Sequence, residues 1–230
     1  MLCIYYFYLL AWLVEDKHAL HHKFTNLRFF VSHLGHYCAV AELSNVTGPC
    51  DAGYFCKEGA QFANPTDNIT GGVCPKGHYC PVGTYDPQKC PEGSYSNSTS
   101  NQNISSCQPC MPGYYCGSRG LEQPSGECSA GFYCPGGQKT DTPAEYTCTP
   151  GHHCPMGSAH QIPCGSGTYQ DEFQQETCKT CPQGFYCDGT ILNATHCSHG
   201  VQFPTPCIKG HYCPNGTKFA RERKCPAGKK

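Results

Sequence analysis

The chain has 230 residues, a net charge of −1 and 22 cysteines, close to one residue in ten. That cysteine density belongs to disulfide scaffolds rather than ordinary globular domains. The near-neutral charge excludes any general attraction to nucleic acid or to an anionic membrane surface. From Gly35 to the end there are only three Leu, five Val and five Ile, too few to bury the apolar surface that offsets chain entropy. Covalent bonds must hold the fold. Disulfides do so at about 2–4 kcal/mol each, and they persist only in oxidising compartments, so the composition points to a secretory or extracellular protein. Six N-x-[ST] sequons, at Asn45, Asn68, Asn97, Asn103, Asn193 and Asn215, lie in polar loops between cysteines and agree with that route.

Residues 1–34 stand apart. Met1–Val14 is an apolar run of 14 residues, too short to cross a bilayer comfortably. Its length suits the apolar part of a signal peptide, but no basic residues precede it and no small-x-small cleavage site follows. The next stretch, EDKHALHHKFTNLRFFVSH, has no cysteine, glycine or proline. Three readings stay open for this segment: a signal peptide, a membrane anchor, or a misjoined fragment.

From Gly35 onward the chain repeats, in segments 35–80, 81–154 and 155–230. Cys38, Cys50 and Cys56 map onto Cys116, Cys128 and Cys134. Cys74, Cys80 and Cys90 map onto Cys148, Cys154 and Cys164, and Cys107, Cys110 and Cys116 onto Cys178, Cys181 and Cys187. The super-repeat is ~75 residues long, and its drift reflects loop-length changes that surface loops tolerate. The pattern breaks at Phe203, which stands where the equivalent of Cys134 is expected, and at the C-terminal CPAGKK, which reads as a truncated phrase. Excluding Cys3, the repeat region holds 21 cysteines. That number is odd, so at least one is free, pairs with Cys3, or pairs outside the chain.

The repeated phrase is C-x-x-G-x-aromatic-C. Complete copies are CDAGYFC (50–56), CPKGHYC (74–80), CMPGYYC (110–116), CSAGFYC (128–134), CTPGHHC (148–154), CPQGFYC (181–187) and CIKGHYC (207–213); CPEGSYS (90–96) and CGSGTYQ (164–170) lack the second cysteine. Proline or another residue after the first cysteine starts a turn and glycine ends it. The aromatic covers disulfide sulfur and supplies what apolar burial there is. Each phrase is expected to be a tight turn leading into a very short strand. No stretch after residue 34 has the apolar period of a helix.

These phrases resemble the ephrin-receptor-like cysteine-rich repeat of the growth-factor-receptor cysteine-rich class, and their layout is similar to tumour necrosis factor receptor modules. The resemblance covers residues 35–230. It implies that six consecutive cysteines pair first with second, third with fifth and fourth with sixth, giving Cys90–Cys107, Cys110–Cys128 and Cys116–Cys134. In the next unit it implies Cys164–Cys178 and Cys181–Cys197, with Cys187 left over because of Phe203. It also implies a small disulfide-rich fold, an elongated tandem array of modules with short β-hairpins and little helix after residue 34. The function it implies is that of a glycosylated spacer or adhesive or receptor ectodomain segment, extracellular or on a membrane protein, with protein partners.

Other chemistries fit less well. CQPC (107–110) and CKTC (178–181) with twelve histidines suggest zinc, but structural zinc takes compact four-ligand clusters, and these histidines mostly occupy aromatic positions of the phrase. CQPC is similar to a redox motif, which needs a strand-to-helix setting absent here. No catalytic constellation, calcium loop or cofactor motif is present, so no cofactor is expected. Lys218, Arg221, Arg223 and Lys224 form a basic stretch that offers a glycosaminoglycan contact. No residue identifies a ligand-binding site.

Overall fold

A computed structural model of the chain describes residues 33–40, 45–190 and 200–226. Within them the protein is small, disulfide-rich and built from strands of two or three residues, paired as eight two-stranded hairpins. Two 3-10 turns, Ile104–Ser106 and Ala144–Tyr146, are the helical content of the described residues. The expected 1–34 segment lies almost wholly outside them.

The phrase explains the hairpins. Counting its first cysteine as position 1, the N–H of position 5 donates to the carbonyl of position 2: Tyr54 to Asp51 (3.1 Å), Tyr114 to Met111 (3.1 Å), Phe132 to Ser129 (3.1 Å). The glycine at position 4 has φ from 71° at Gly77 to 90° at Gly167. It therefore sits inside the turn, at the positive-φ place of a type II turn, rather than closing it. Positions 5 and 6 then form a strand, as in His78–Tyr79 paired with Gln88–Lys89 and Tyr114–Tyr115 paired with Gly126–Glu127.

Chain contacts divide the protein into two compact units. The first comprises the described residues up to Pro91 with Tyr95–Gln108 and Arg119–Gln123. The second comprises Glu92–Ser94, Pro109–Ser118 and the described residues from Pro124 on. One backbone scheme builds each unit. A phrase glycine followed by another full-length phrase donates its N–H forward to the carbonyl at position 7 of that phrase, and its own carbonyl accepts from position 1 there. In the first unit Gly53 N–H meets Cys80 O (2.8 Å) and Cys74 N–H meets Gly53 O (2.9 Å); Gly35 and Gly77 do the same. In the second, Gly113 donates to Cys134 O (2.8 Å) and accepts from Cys128 N–H (2.9 Å), and Gly131, Gly151, Gly167 and Gly184 repeat the pair. The position-7 N–H reaches a later loop, as Cys134 N–H to Ser158 O (2.8 Å) and Cys56 N–H to Thr84 O (2.9 Å).

Burial follows from this scheme. Apart from Ala60, Tyr95 and the prolines Pro65 and Pro143, the buried apolar side chains among those described are cysteines. One small cluster of Cys50, Cys56 and Ala60 carries Tyr37 and Tyr54 packed against it. Here Tyr37, at position 6 of its phrase, packs against the disulfide of the next phrase, and Tyr54 against that of its own.

Candidate functional site

Nine disulfides stand among the described residues. Seven lie inside a complete phrase, joining cysteines six apart with Cα–Cα distances of 5.8–6.0 Å: Cys50–Cys56, Cys74–Cys80, Cys110–Cys116, Cys128–Cys134, Cys148–Cys154, Cys181–Cys187 and Cys207–Cys213. Three pairings implied by the receptor resemblance are therefore corrected. Cys110 pairs with Cys116, not Cys128; Cys134 pairs with Cys128, not Cys116; and Cys181 pairs with Cys187, not Cys197. The physical reason is the turn. A positive-φ glycine midway folds the phrase back so that its two cysteines come within bonding reach of each other. Cys187 accordingly has a partner, and the exposed Phe203 stands at position 7 of the phrase that starts at Cys197, a residue outside the described ones. Val201 serves the ladder, with Gln170 N–H donating to its carbonyl (2.9 Å).

The two phrases without a second cysteine behave differently. Their first cysteines reach the next available one, giving Cys90–Cys107 and Cys164–Cys178. The vacated position 7 is filled by a buried polar side chain. Ser96 accepts from Asn101 Nδ2 (3.0 Å), and Asn101 also donates to His78 O (2.8 Å). Gln170, 1% exposed, donates from Nε2 to Thr177 O (2.8 Å) and accepts at Oε1 from Glu172 N–H (3.2 Å). A buried polar group must be satisfied, and here it replaces a covalent staple. Cys38 is also disulfide-bonded. Cys225 is free, although its N–H keeps the position-1 bond to Gly210 O (2.9 Å).

A second motif escaped the sequence reading: P-x-G-[ST] directly after the position-7 cysteine. In PVGT (81–84), PMGS (155–158) and PNGT (214–217) the hydroxyl donates to the proline carbonyl, at 2.6 Å for Thr84 and 2.7 Å for Thr217. The signal was present in the spacing of proline and hydroxyl, which lets the hydroxyl bond back to the carbonyl three residues earlier.

The histidines are placed by the same turn. Position-5 His78 and His211 set Nδ1 against the carbonyls of Lys76 (2.8 Å) and Lys209 (3.4 Å). A carbonyl only accepts, so Nδ1 carries the proton in those bonds. His153 takes the aromatic position 6 and lies 3.1 Å from Cys178 Sγ. His153, Cys164 and Cys178 have donor atoms within 4.8 Å of one another, but the two sulfurs are bonded to each other and offer no thiolates.

Of the sequons, Asn45, Asn68, Asn97, Asn103 and Asn215 are exposed, and Asn193 lies outside the described residues, as do Cys3 and Cys197. Asn103 caps the first 3-10 turn by accepting from Ser105 N–H (3.1 Å). Lys218, Arg221, Arg223 and Lys224 are all exposed, with Glu222 among them accepting from Lys218 N–H (3.0 Å). That hydrogen bond holds the Glu222 carboxyl below its usual range against a small opposing effect of burial.

No family model matches the chain. Among curated proteins, it is 28% identical to Cysteine repeat modular protein A of Toxoplasma gondii over 74% of this chain and 7% of the relative. It is 30% identical to Putative white-brown complex homolog protein 30 of Arabidopsis thaliana over 64% of this chain and 12% of the relative. It is 31% identical to Signal peptide, CUB and EGF-like domain-containing protein 3 of Homo sapiens over 41% of this chain and 9% of the relative. The chain spans about a tenth of the length of these relatives. The disulfides, the repeated phrase and these likenesses together make it a member of the cysteine-rich repeat class.

Proposed function

We propose that the chain is a glycosylated, disulfide-stapled segment of an extracellular or cell-surface protein, acting as a spacer and protein-interaction surface and not as a catalyst. The observation that carries this reading is the commitment of each phrase to the ladder. Cysteines and glycines are consumed in holding adjacent phrases, and the loops between them face solvent with five exposed sequon asparagines. Relatives with dissimilar printed names each match this chain over a small part of their own length, which suits a module carried by different whole proteins. Within the class, the C-P-x-G-x-Y-C phrase favours the ephrin-receptor-like repeats. A glycosaminoglycan contact through Lys218, Arg221, Arg223 and Lys224 is a secondary part of the reading. Among the described residues no helix is long and apolar enough to cross a membrane.

The test is intact mass of the secreted chain under non-reducing conditions, with free thiols alkylated, before and after N-glycan removal. Few alkylated cysteines and several glycans are expected. Mostly free thiols and no glycan would overturn the extracellular reading and favour an intracellular metal-binding protein. A second reading, a ligand-binding receptor-like module, is favoured by one observation, a cleft in the first unit.

A further inference from the structure

In the first unit, the hairpin of His78–Tyr79 with Gln88–Lys89 opens onto a cleft of about 660 Å³. Three segments bring its side chains together. His78 faces Lys89 across the strand pair. Arg119 arrives from further along the chain, fixed in place because its neighbour Gly120 donates to Cys90 O (2.9 Å). The two segments touch closely. A Cβ on Gly120 would lie 3.2 Å from Lys89 Cγ and 3.3 Å from its Cδ, so the Lys89 stem runs over Gly120 beside Arg119. The cleft is also lined by the half-buried Tyr79 and Pro87 and by one carboxylate, Asp86.

The electrostatics are unbalanced. Lys89 and Arg119 have no ion pair or side-chain hydrogen bond among the described residues, in contrast to Lys179, which holds Asp171 at 2.7 Å and Glu172 at 3.0 Å. Two unpaired cations beside a single carboxylate leave a positive surplus in a concave site. Flat apolar surface next to that surplus fits a sugar ring, and the cations fit its acidic substituent; Arg additionally supplies a planar fork of donors. A fully apolar or cationic ligand would leave both charges unanswered.

We propose that this cleft binds an acidic saccharide, its ring against Tyr79 and Pro87 and its sulfate or carboxylate between Lys89 and Arg119. The choice of a saccharide rests on the extracellular reading above; the anion site itself does not. The site is distinct from the basic stretch at Lys218–Lys224.

The experiment is calorimetric titration of the intact, disulfide-bonded chain with three probes of equal length: a heparin-derived hexasaccharide, a hyaluronan hexasaccharide and, as the neutral control, fully N-acetylated chitohexaose. Binding of one or both acidic probes and not of chitohexaose is expected, and their ranking separates sulfate from carboxylate. Lys89→Ala and Arg119→Ala should each weaken binding about tenfold. Asp86→Asn should strengthen it a few fold, a gain that a merely structural disturbance would not give. Unchanged disulfide mass in each variant shows that the fold survives. Binding that ignores Lys89 and Arg119 but disappears on replacing Lys218, Arg221, Arg223 and Lys224 by alanine would overturn the proposal in favour of the basic stretch. No binding of either acidic probe by a chain with its disulfides and glycans in place would overturn the proposal while leaving the extracellular reading intact.

Discussion

Replacing a phrase glycine by alanine separates two costs that the ladder combines. Gly113 and Gly184 have nearly the same φ, 84° and 87°, and each makes both ladder bonds. They differ in what surrounds them. An added Cβ at Gly113 would lie 2.5 Å from Gly157 O, whereas at Gly184 nothing lies within 4 Å. Gly184→Ala thus carries only the cost of a left-handed alanine, about 1–2 kcal/mol. Gly113→Ala carries that cost and must also push away a backbone carbonyl, which has no rotamer to escape into. The displaced segment holds Gly157 N–H to Cys128 O (2.8 Å) and Ser158 O to Cys134 N–H (2.8 Å). At about 0.5–1.5 kcal/mol for each of the two bonds, added to the cost of the left-handed alanine, the total is about 2–5 kcal/mol. The assay is amide hydrogen exchange on disulfide-intact protein, where each 1.4 kcal/mol is about a tenfold change in protection. Local protection should fall about 5- to 30-fold around Gly184 in its variant. Around Gly157 and Cys134 it should fall about 30- to 4000-fold in the Gly113 variant. Equal losses in the two would refute the reasoning, because close approach between segments would then contribute nothing.

Further outcomes follow from the same geometry. Cys128→Ser should leave Cys134 open to alkylation, whereas the receptor-type pairing would expose Cys110; peptide mapping decides between them. Loop closure favours the longer bridge. Removing Cys90–Cys107, with a separation of 17, should cost about 3 kcal/mol against about 2 kcal/mol for Cys128–Cys134, with a separation of 6, read by denaturant unfolding of the double alanine variants. Gln170→Leu keeps bulk but leaves Thr177 O and Glu172 N–H without their partners, and should lower stability by about 1–3 kcal/mol. The Ser129 hydroxyl, 2.7 Å from Asp141 Oδ2, holds that carboxyl below its usual range against a smaller effect of burial. A depressed folded-state pKa contributes stability above the unfolded value and loses it as pH falls through the folded one. The melting difference between the wild type and Ser129→Ala should therefore be full above about pH 4 and shrink in stronger acid; a difference that grows on acidification would contradict this.

The phrase, its turn, the short strands and the scarcity of helix among the described residues were legible because each depends on residues seven or fewer apart. Glycine at position 4 announces a positive φ wherever it stands, and the aromatic at position 6 packs against a disulfide at Tyr37 but is exposed at Tyr212. The Cys90–Cys107 and Cys164–Cys178 pairs match what the resemblance implies, but the pairing inside the complete phrases was not legible. Cys110 has Cys116 and Cys128 both within plausible reach, and only the backbone reversal at Gly113 selects the nearer one. Nor was the ladder, since its bonds join backbone groups, which every residue possesses. Polar substitution at Ser96 and Gln170 reads in sequence as a lost cysteine, and the compensating hydrogen bonds come from Asn101 and Thr177, which no spacing rule connects to them. The cleft was invisible for a related reason: Lys89 and Arg119 are 30 positions apart and meet only because Gly120 is tied to Cys90.

A frame held by main-chain donors and acceptors places almost no demand on the identity of the residues between its fixed points. Substitution can therefore run through the intervening loops while the fold persists, provided the glycines and the sulfur-bearing or buried polar positions are kept. Matches at 28–31% identity to proteins with dissimilar names are what such freedom produces. Similarity search of chains like this one recovers the frame. What distinguishes one from another is written in the loops, where alignments carry least information.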